Sequence, residues 1–210
     1  MSGLGLGLGL SLGGRRVGDA GNMPATFTIA AGSVDDGIKR INFSEPVTVT
    51  ITGGVTLSIG GTVYESGDTI PVATGEYHTL TINNPGEDAG TITFGKRKQI
   101  TYLYLYNLGS SVITGDITGM KLTYLRLYNL DSSVITGDIT GMKLTYLYLK
   151  NIGSSVIAGD ITGMKLTYLQ LYNIGSSVIT GDITGMKLTY LYLSNIGSSL
   201  SYGTNPLNIT

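Results

Sequence analysis

From Ile100 onward a single 22-residue unit recurs without a gap, and nothing else in the chain restricts its fold so tightly. The copies read ITYLYLYNLGSSVITGDITGMK from Ile100, LTYLRLYNLDSSVITGDITGMK from Leu122, LTYLYLKNIGSSVIAGDITGMK from Leu144 and LTYLQLYNIGSSVITGDITGMK from Leu166. A fifth, from Leu188, keeps its first half and then departs, ending in SYGTNPLNIT. A unit this short cannot bury its own apolar face, so stacking on neighbours must supply the cover. A fixed period of this length therefore predicts a solenoid whose altered last copy is a cap.

Alternation assigns the faces. Successive side chains of a strand point to opposite sides, so Leu122, Leu125, Leu127 and their equivalents are expected to stack inward. Three columns then point outward. The first is invariant: Tyr102, Tyr124, Tyr146, Tyr168 and Tyr190. The second reads Tyr104, Arg126, Tyr148, Gln170, Tyr192, and the third Tyr106, Tyr128, Lys150, Tyr172, Ser194. Variation among near-identical units gathers at these outward positions. Tyrosine is large, stiff and both apolar and polar, so the face is expected to bind sugar rings and their hydroxyls, or another protein. The plainer alternative is that the rings only brace the sheet, at ~0.2–1 kcal/mol per cross-strand contact.

Two polar columns accompany them. Asn107, Asn129, Asn151, Asn173 and Asn195 are expected to form a buried ladder, each amide satisfying backbone groups of the next coil. Asp116, Asp138, Asp160 and Asp182 are expected to stack at one strand spacing, each tied to a backbone N–H to offset repulsion. A calcium ladder is the rival reading of these aspartates. One carboxylate per coil falls short of the roughly six to eight oxygens calcium takes, so no metal or other cofactor is expected.

The order L-T-Y-L-x-L-x-N followed by I-T-G-D-I resembles a leucine-rich repeat, in the version whose convex side carries an extended T-G-x-I segment. The resemblance covers about half the chain and implies a solenoid of about five coils over residues 100–210. The asparagine follows the third leucine by two residues rather than three, so a tighter turn is expected there. A right-handed β-helix-like solenoid is the alternative architecture.

Residues 24–99 alternate apolar and polar positions in short runs, at 26–31, 46–52, 55–59, 62–65, 69–72, 77–82 and 91–95. Turn residues such as Gly53-Gly54, Gly60-Gly61 and Asn83-Asn84-Pro85-Gly86 separate them. Short strands at close spacing predict a small Ig-like β-sandwich, with Phe27, Phe43 and Phe94 in its core. The whole chain is thus expected to be all-β.

Residues 1–23 are low in complexity. Leu4, Leu6, Leu8, Leu10 and Leu12 alternate with glycine or serine, which in a strand sets every leucine on one side. A lone strand cannot bury them, so an anchoring arm that docks into a partner is expected, with a disordered tail or a targeting segment as alternatives. No basic residue precedes the apolar stretch and no A-x-A site follows it, which fits a signal peptide poorly.

Composition narrows the chemistry. The chain has no cysteine and one histidine, so thiolate sites and multi-histidine metal sites are excluded. A net charge of −1 argues against nucleic acid as a partner, and no apolar run is long enough to span a membrane. His78 reads as a structural residue. The acidic pairs Asp35-Asp36 and Glu87-Asp88 have the residue types of glycosidase carboxylates, but turn chemistry accounts for them. No phosphate loop or nucleophile elbow is present, and the glycosylation patterns at Asn42 and Asn208 occur at chance frequency. The expectation is a non-enzyme.

An arm, a β-spacer and a modular repeat tip are together similar in layout to bacteriophage tail-fibre, head-fibre or decoration proteins. That resemblance, an analogy of arrangement, implies a homo-oligomeric receptor-binding protein on a virion surface. It would join other virion proteins through residues 1–23 and a cell-surface glycan or protein through the repeat face. A bacterial surface-displayed leucine-rich-repeat adhesin is the alternative.

Overall fold

The computed structural model describes residues 20–197 and 199–201. The leucines of the N-terminal arm, Asn208 and the end of the expected cap lie outside the described residues. Eight strands come first: β1 (Pro24–Ile29), β2 (Ile38–Phe43), β3 (Val47–Thr52), β4 (Thr56–Ile59), β5 (Thr62–Tyr64), β6 (Thr69–Ile70), β7 (His78–Asn83) and β8 (Gly90–Lys96). A 3-10 turn at Arg97–Gln99 leads into the repeats. Each coil then contributes two strands. One set is β9 (Ile100–Tyr106), β11 (Tyr124–Tyr128), β13 (Tyr146–Lys150), β15 (Tyr168–Tyr172) and β17 (Tyr190–Ser194). The other is β10 (Ile113–Asp116), β12 (Val134–Asp138), β14 (Val156–Asp160), β16 (Val178–Asp182) and β18 (Ser199–Ser201). The protein is all-β, and its repeats form a β-solenoid.

Both sheets run unbroken through the join between the antiparallel strands and the coils. One has the order β18-β16-β14-β12-β10-β1-β8-β3-β6, the other β17-β15-β13-β11-β9-β2-β7-β4-β5. Strand β1 pairs antiparallel with β10, and β2 with β9, while the coils pair in parallel with one another. One apolar cluster fills the space between the sheets, from Phe27, Phe43 and Phe94 through to Leu169 and Ile179. A middle coil contributes Leu122, Leu125, Leu127, Leu130, Ile135, Ile139 and Met142 to it. In an immunoglobulin domain the first two strands share a sheet; here β1 and β2 lie in opposite ones.

Strand β2 escapes the sequence reading because its inward positions are Lys39, Ile41 and Phe43, and a lysine breaks the apolar alternation. Lys39 is 1% exposed. Its ammonium donates to the Asp36 carbonyl at 2.6 Å and pairs with Asp35 at 2.8 Å. A buried lysine is tolerated only when so paired.

The two sheets differ in register. In the tyrosine-bearing sheet, Tyr124 pairs with Tyr146 and Leu125 with Leu147, each 22 residues on. In the opposite sheet Thr114 pairs with Val134, Thr136 with Val156 and Ala158 with Val178, each 20 residues on, so strands β10 to β16 are offset by two from the repeat. The aspartates therefore do not stack as expected. Asp116 lies beside Thr136, Asp138 beside Ala158 and Asp160 beside Thr180. The offset brings glycine backbone against the preceding coil, and Gly137 and Gly159 take φ values of +146° and +149° that exclude other residues. Each aspartate is nonetheless tied to a backbone N–H as expected, accepting the one two residues on, as in Asp138 Oδ1 from Thr140 at 2.8 Å. Thr118 Oγ1 in turn accepts the N–H of Asp138 in the next coil at 3.0 Å. The Thr162 hydroxyl and N–H hold the Asp160 carboxyl below its ordinary range, and Thr184 does the same for Asp182.

Candidate functional site: the tyrosine face

The in-register sheet turns the invariant tyrosine column into a continuous stack. Ring centroids are 4.3 Å apart from Tyr102 to Tyr124, from Tyr124 to Tyr146 and from Tyr146 to Tyr168, and 4.4 Å from Tyr168 to Tyr190. The planes deviate by no more than 12°. Tyr77 continues the column into the antiparallel strands, 5.3 Å from Tyr102. Ring faces are thus occupied by other rings, and what the column offers outward is hydroxyl edges.

The second column alternates cation and ring. Strand pairing places Arg40 beside Tyr104, Tyr104 beside Arg126, and Arg126 beside Tyr148. The Arg40 guanidinium carbon lies 4.2 Å from the Tyr77 ring centre and 5.3 Å from that of Tyr104. Arg126 sits between Tyr104 at 4.8 Å and Tyr148 at 4.6 Å. Next comes Gln170, whose Oε1 accepts the Tyr168 hydroxyl at 2.8 Å. In the third column Lys150 lies between Tyr128 and Tyr172, at 5.0 and 5.3 Å. Each such contact is worth ~0.5–1 kcal/mol where exposed and about 2 or more where dry.

The face is outward, as alternation requires, but it is not open throughout. Tyr102, Tyr104, Tyr148 and Gln170 are all 9% exposed or less, because rings at strand spacing cover one another. Tyr106, Tyr128, Tyr172 and Tyr192 are half-buried, and Tyr190 at the last coil is exposed. Burial first, then neighbouring phenols, pushes Tyr102 and Tyr146 well above the ordinary tyrosine pKa, and burial raises Tyr104, Tyr148 and Tyr168 too. At neutral pH these phenols remain protonated donors, and the charge of the face comes from Arg40, Arg126 and Lys150.

Arg40 and Tyr77 are missing from the sequence reading of the face. Both precede the repeats, so no period exposes them; Arg40 lies on β2, whose alternation Lys39 obscures. The Nε of Arg40 and that of Arg126 are both shut from solvent with no hydrogen-bond partner, a cost of about 1–3 kcal/mol for an ordinary buried donor. Stacking against two rings offsets part of it.

The remaining candidates serve the framework. Asn129 Nδ2 donates to Asn107 Oδ1, and Asn151 to Asn129, each at 2.9 Å, with Asn173 and Asn195 continuing the ladder. The ladder differs from expectation in being half-buried and side chain to side chain. Backbone carbonyls already take the N–H groups, as in Asn107 N–H to Tyr128. Asp35 and Asp36 tie loops together: Asp35 accepts Ile82 N–H at 3.1 Å, and Asp36 accepts Gly37 and Ser110 N–H at 2.7 and 3.0 Å. Asn84 bonds the Asp88 carbonyl at 2.9 Å. His78 Nε2 lies 2.7 Å from the Pro71 carbonyl. The Asn42 amide nitrogen donates to the Glu76 carbonyl at 3.1 Å, and its oxygen accepts two backbone N–H groups.

Sequence alone also misses a second ladder, of buried serines. Ser155 Oγ accepts Ile135 N–H at 2.9 Å, and Ser133 and Ser177 do the same for Ile113 and Ile157. No protein-family model, curated protein or solved structure matches the chain.

Proposed function

We propose that this protein is a non-enzymatic recognition element of a virion appendage, anchored through residues 1–23 and presenting the tyrosine face to a cell-surface glycan or protein. The repeats are read as kin to leucine-rich repeats on their L-x-x-L-x-L order and the asparagine that closes each strand. The observation that carries recognition is the pairing of rigidity with variation. An invariant tyrosine stack fixes the sheet, while the two columns beside it hold the exchanged residues, Arg126, Gln170, Lys150 and Ser194. Central aromatic residues usually dominate binding. The groups on the face are phenols held protonated, guanidinium and ammonium, none of which is a base at neutral pH, so binding suits them better than catalysis.

The test is adsorption to an immobilised panel of neutral and acidic glycans and to whole bacterial cells. Tyr128→Ser with Tyr172→Ser, in the half-buried outer column, should weaken adsorption about tenfold or more. Ser154→Ala with Ser176→Ala, on exposed turns, should leave it unchanged. Unchanged adsorption in the tyrosine variant with native circular dichroism, or no adsorption by the parent chain, sinks the reading.

A further inference from the structure

Arg40, Arg126 and Lys150 lie on β2, β11 and β13, so their positive charge is spread across the tyrosine face rather than gathered at a point. With β9 between them, Arg40 and Arg126 stand about 10 Å apart at ordinary strand spacing. Among the described residues the ion pairs are Lys39 with Asp35 and Arg97 with Asp116, and neither involves these three cations. The face is therefore positive while the chain as a whole carries −1. Each guanidinium lies within 5.3 Å of two ring centres and has its Nε closed off from solvent, so a carboxylate would be met by the terminal amino groups. A fork held this way is pre-organised for carboxylate.

The aromatic geometry selects among acidic partners. Single-stranded nucleic acid binds by stacking bases on open ring faces, but here the invariant column is stacked on itself at 4.3–4.4 Å. What remains is a row of protonated hydroxyl edges, suited to a partner rich in hydroxyls. We infer that the ligand is an extended acidic polysaccharide lying across the strands, its carboxylates on Arg40, Arg126 and Lys150 and its hydroxyls on the tyrosine edges. This rests on the tyrosine face being the recognition surface.

Affinity electrophoresis of the full chain in gels containing polygalacturonate or hyaluronan, each beside its methyl ester, tests it. The acids should retard the protein, less so as salt rises, and the esters should bind about tenfold or more weakly. Arg40→Gln with Lys150→Gln should lower acid binding by a similar factor at native circular dichroism. Lys150→Gln alone serves if the pair unfolds, since its ammonium lies in the outer column. Equal retardation by acid and ester, none by either acid, acid binding unaltered by the cation variants, or tighter binding to polyglutamate or single-stranded DNA would each overturn the inference. Ester binding that Tyr128→Ser with Tyr172→Ser abolishes overturns the acidic ligand but keeps the face; acid binding that neither set of variants alters overturns both.

Discussion

Asn151 donates its side-chain amide to Asn129 across one coil at 2.9 Å, and both residues hold left-handed backbone, at φ 49° and 48°. Asparagine is among the few residues besides glycine that adopt this conformation readily, and its amide both donates and accepts, so one residue type closes the turn and links the coils.

Asn151→Gly keeps the backbone and removes two ladder bonds, an expected loss of about 1 kcal/mol. Asn151→Ala also forces an unfavourable φ, adding about 1–2 kcal/mol. Asn195→Ala, where the ladder ends in an exposed amide, should cost less than the central alanine. Urea unfolding midpoints read all three, and equal losses at 151 and 195 would count against the ladder.

The register offset makes a sharper contrast between two glycines of one coil. A Cβ on Gly159 would stand 2.8 Å from Ile139 Cγ1 and 2.9 Å from the Thr140 nitrogen, while one on Gly163 meets nothing within 4 Å. Both have positive φ, +149° and +75°. Gly163→Ala should cost about 1–2 kcal/mol for backbone alone. Gly159→Ala should cost about 3 kcal/mol or more, because its conformation is essentially glycine-only and the neighbour is backbone. Thermal melting of the two variants checks the order.

Alkaline titration probes the tyrosine stack. Burial, then neighbouring phenols, raises Tyr102 and Tyr146 above the ordinary value of 10.0. A group whose folded pKa is raised leaves stability intact below its unfolded pKa and loses it as pH climbs past that value. Stability should therefore hold to about pH 10 and fall above it, with tyrosinate absorbance and loss of circular dichroism rising together. Tyr146→Phe, which keeps the ring and removes the ionisable group, should move the fall to higher pH. A tyrosine titration complete at ordinary pH in a still-folded chain would contradict the stack.

The period made the coils legible, and with them the inward leucines and outward tyrosines, because both follow from alternation within one unit. What the sequence hid depends on relations between units. The stack at Tyr102–Tyr124 needs a 22-residue register in one sheet, and the separation of Asp138 from Asp116 needs a 20-residue register in the other. No single unit encodes either. Strand β2 stayed hidden because Lys39 reads as solvated until Asp35 and the Asp36 carbonyl are seen around it. With β2 went Arg40, and with it the extension of the face beyond the repeats.

Because both sheets pass unbroken from β1 and β2 into the coils, length is an adjustable dimension of this molecule. A further copy of residues 166–187 would slide in between existing coils, lengthening the body by one interstrand step of about 4.8 Å and adding one more row to the tyrosine face. The tyrosine-bearing sheet would take it in the same register, since its coil strands pair 22 residues apart at every step. Repeat number thus works as a ruler, setting the length of the body and the number of rows on its tyrosine face together.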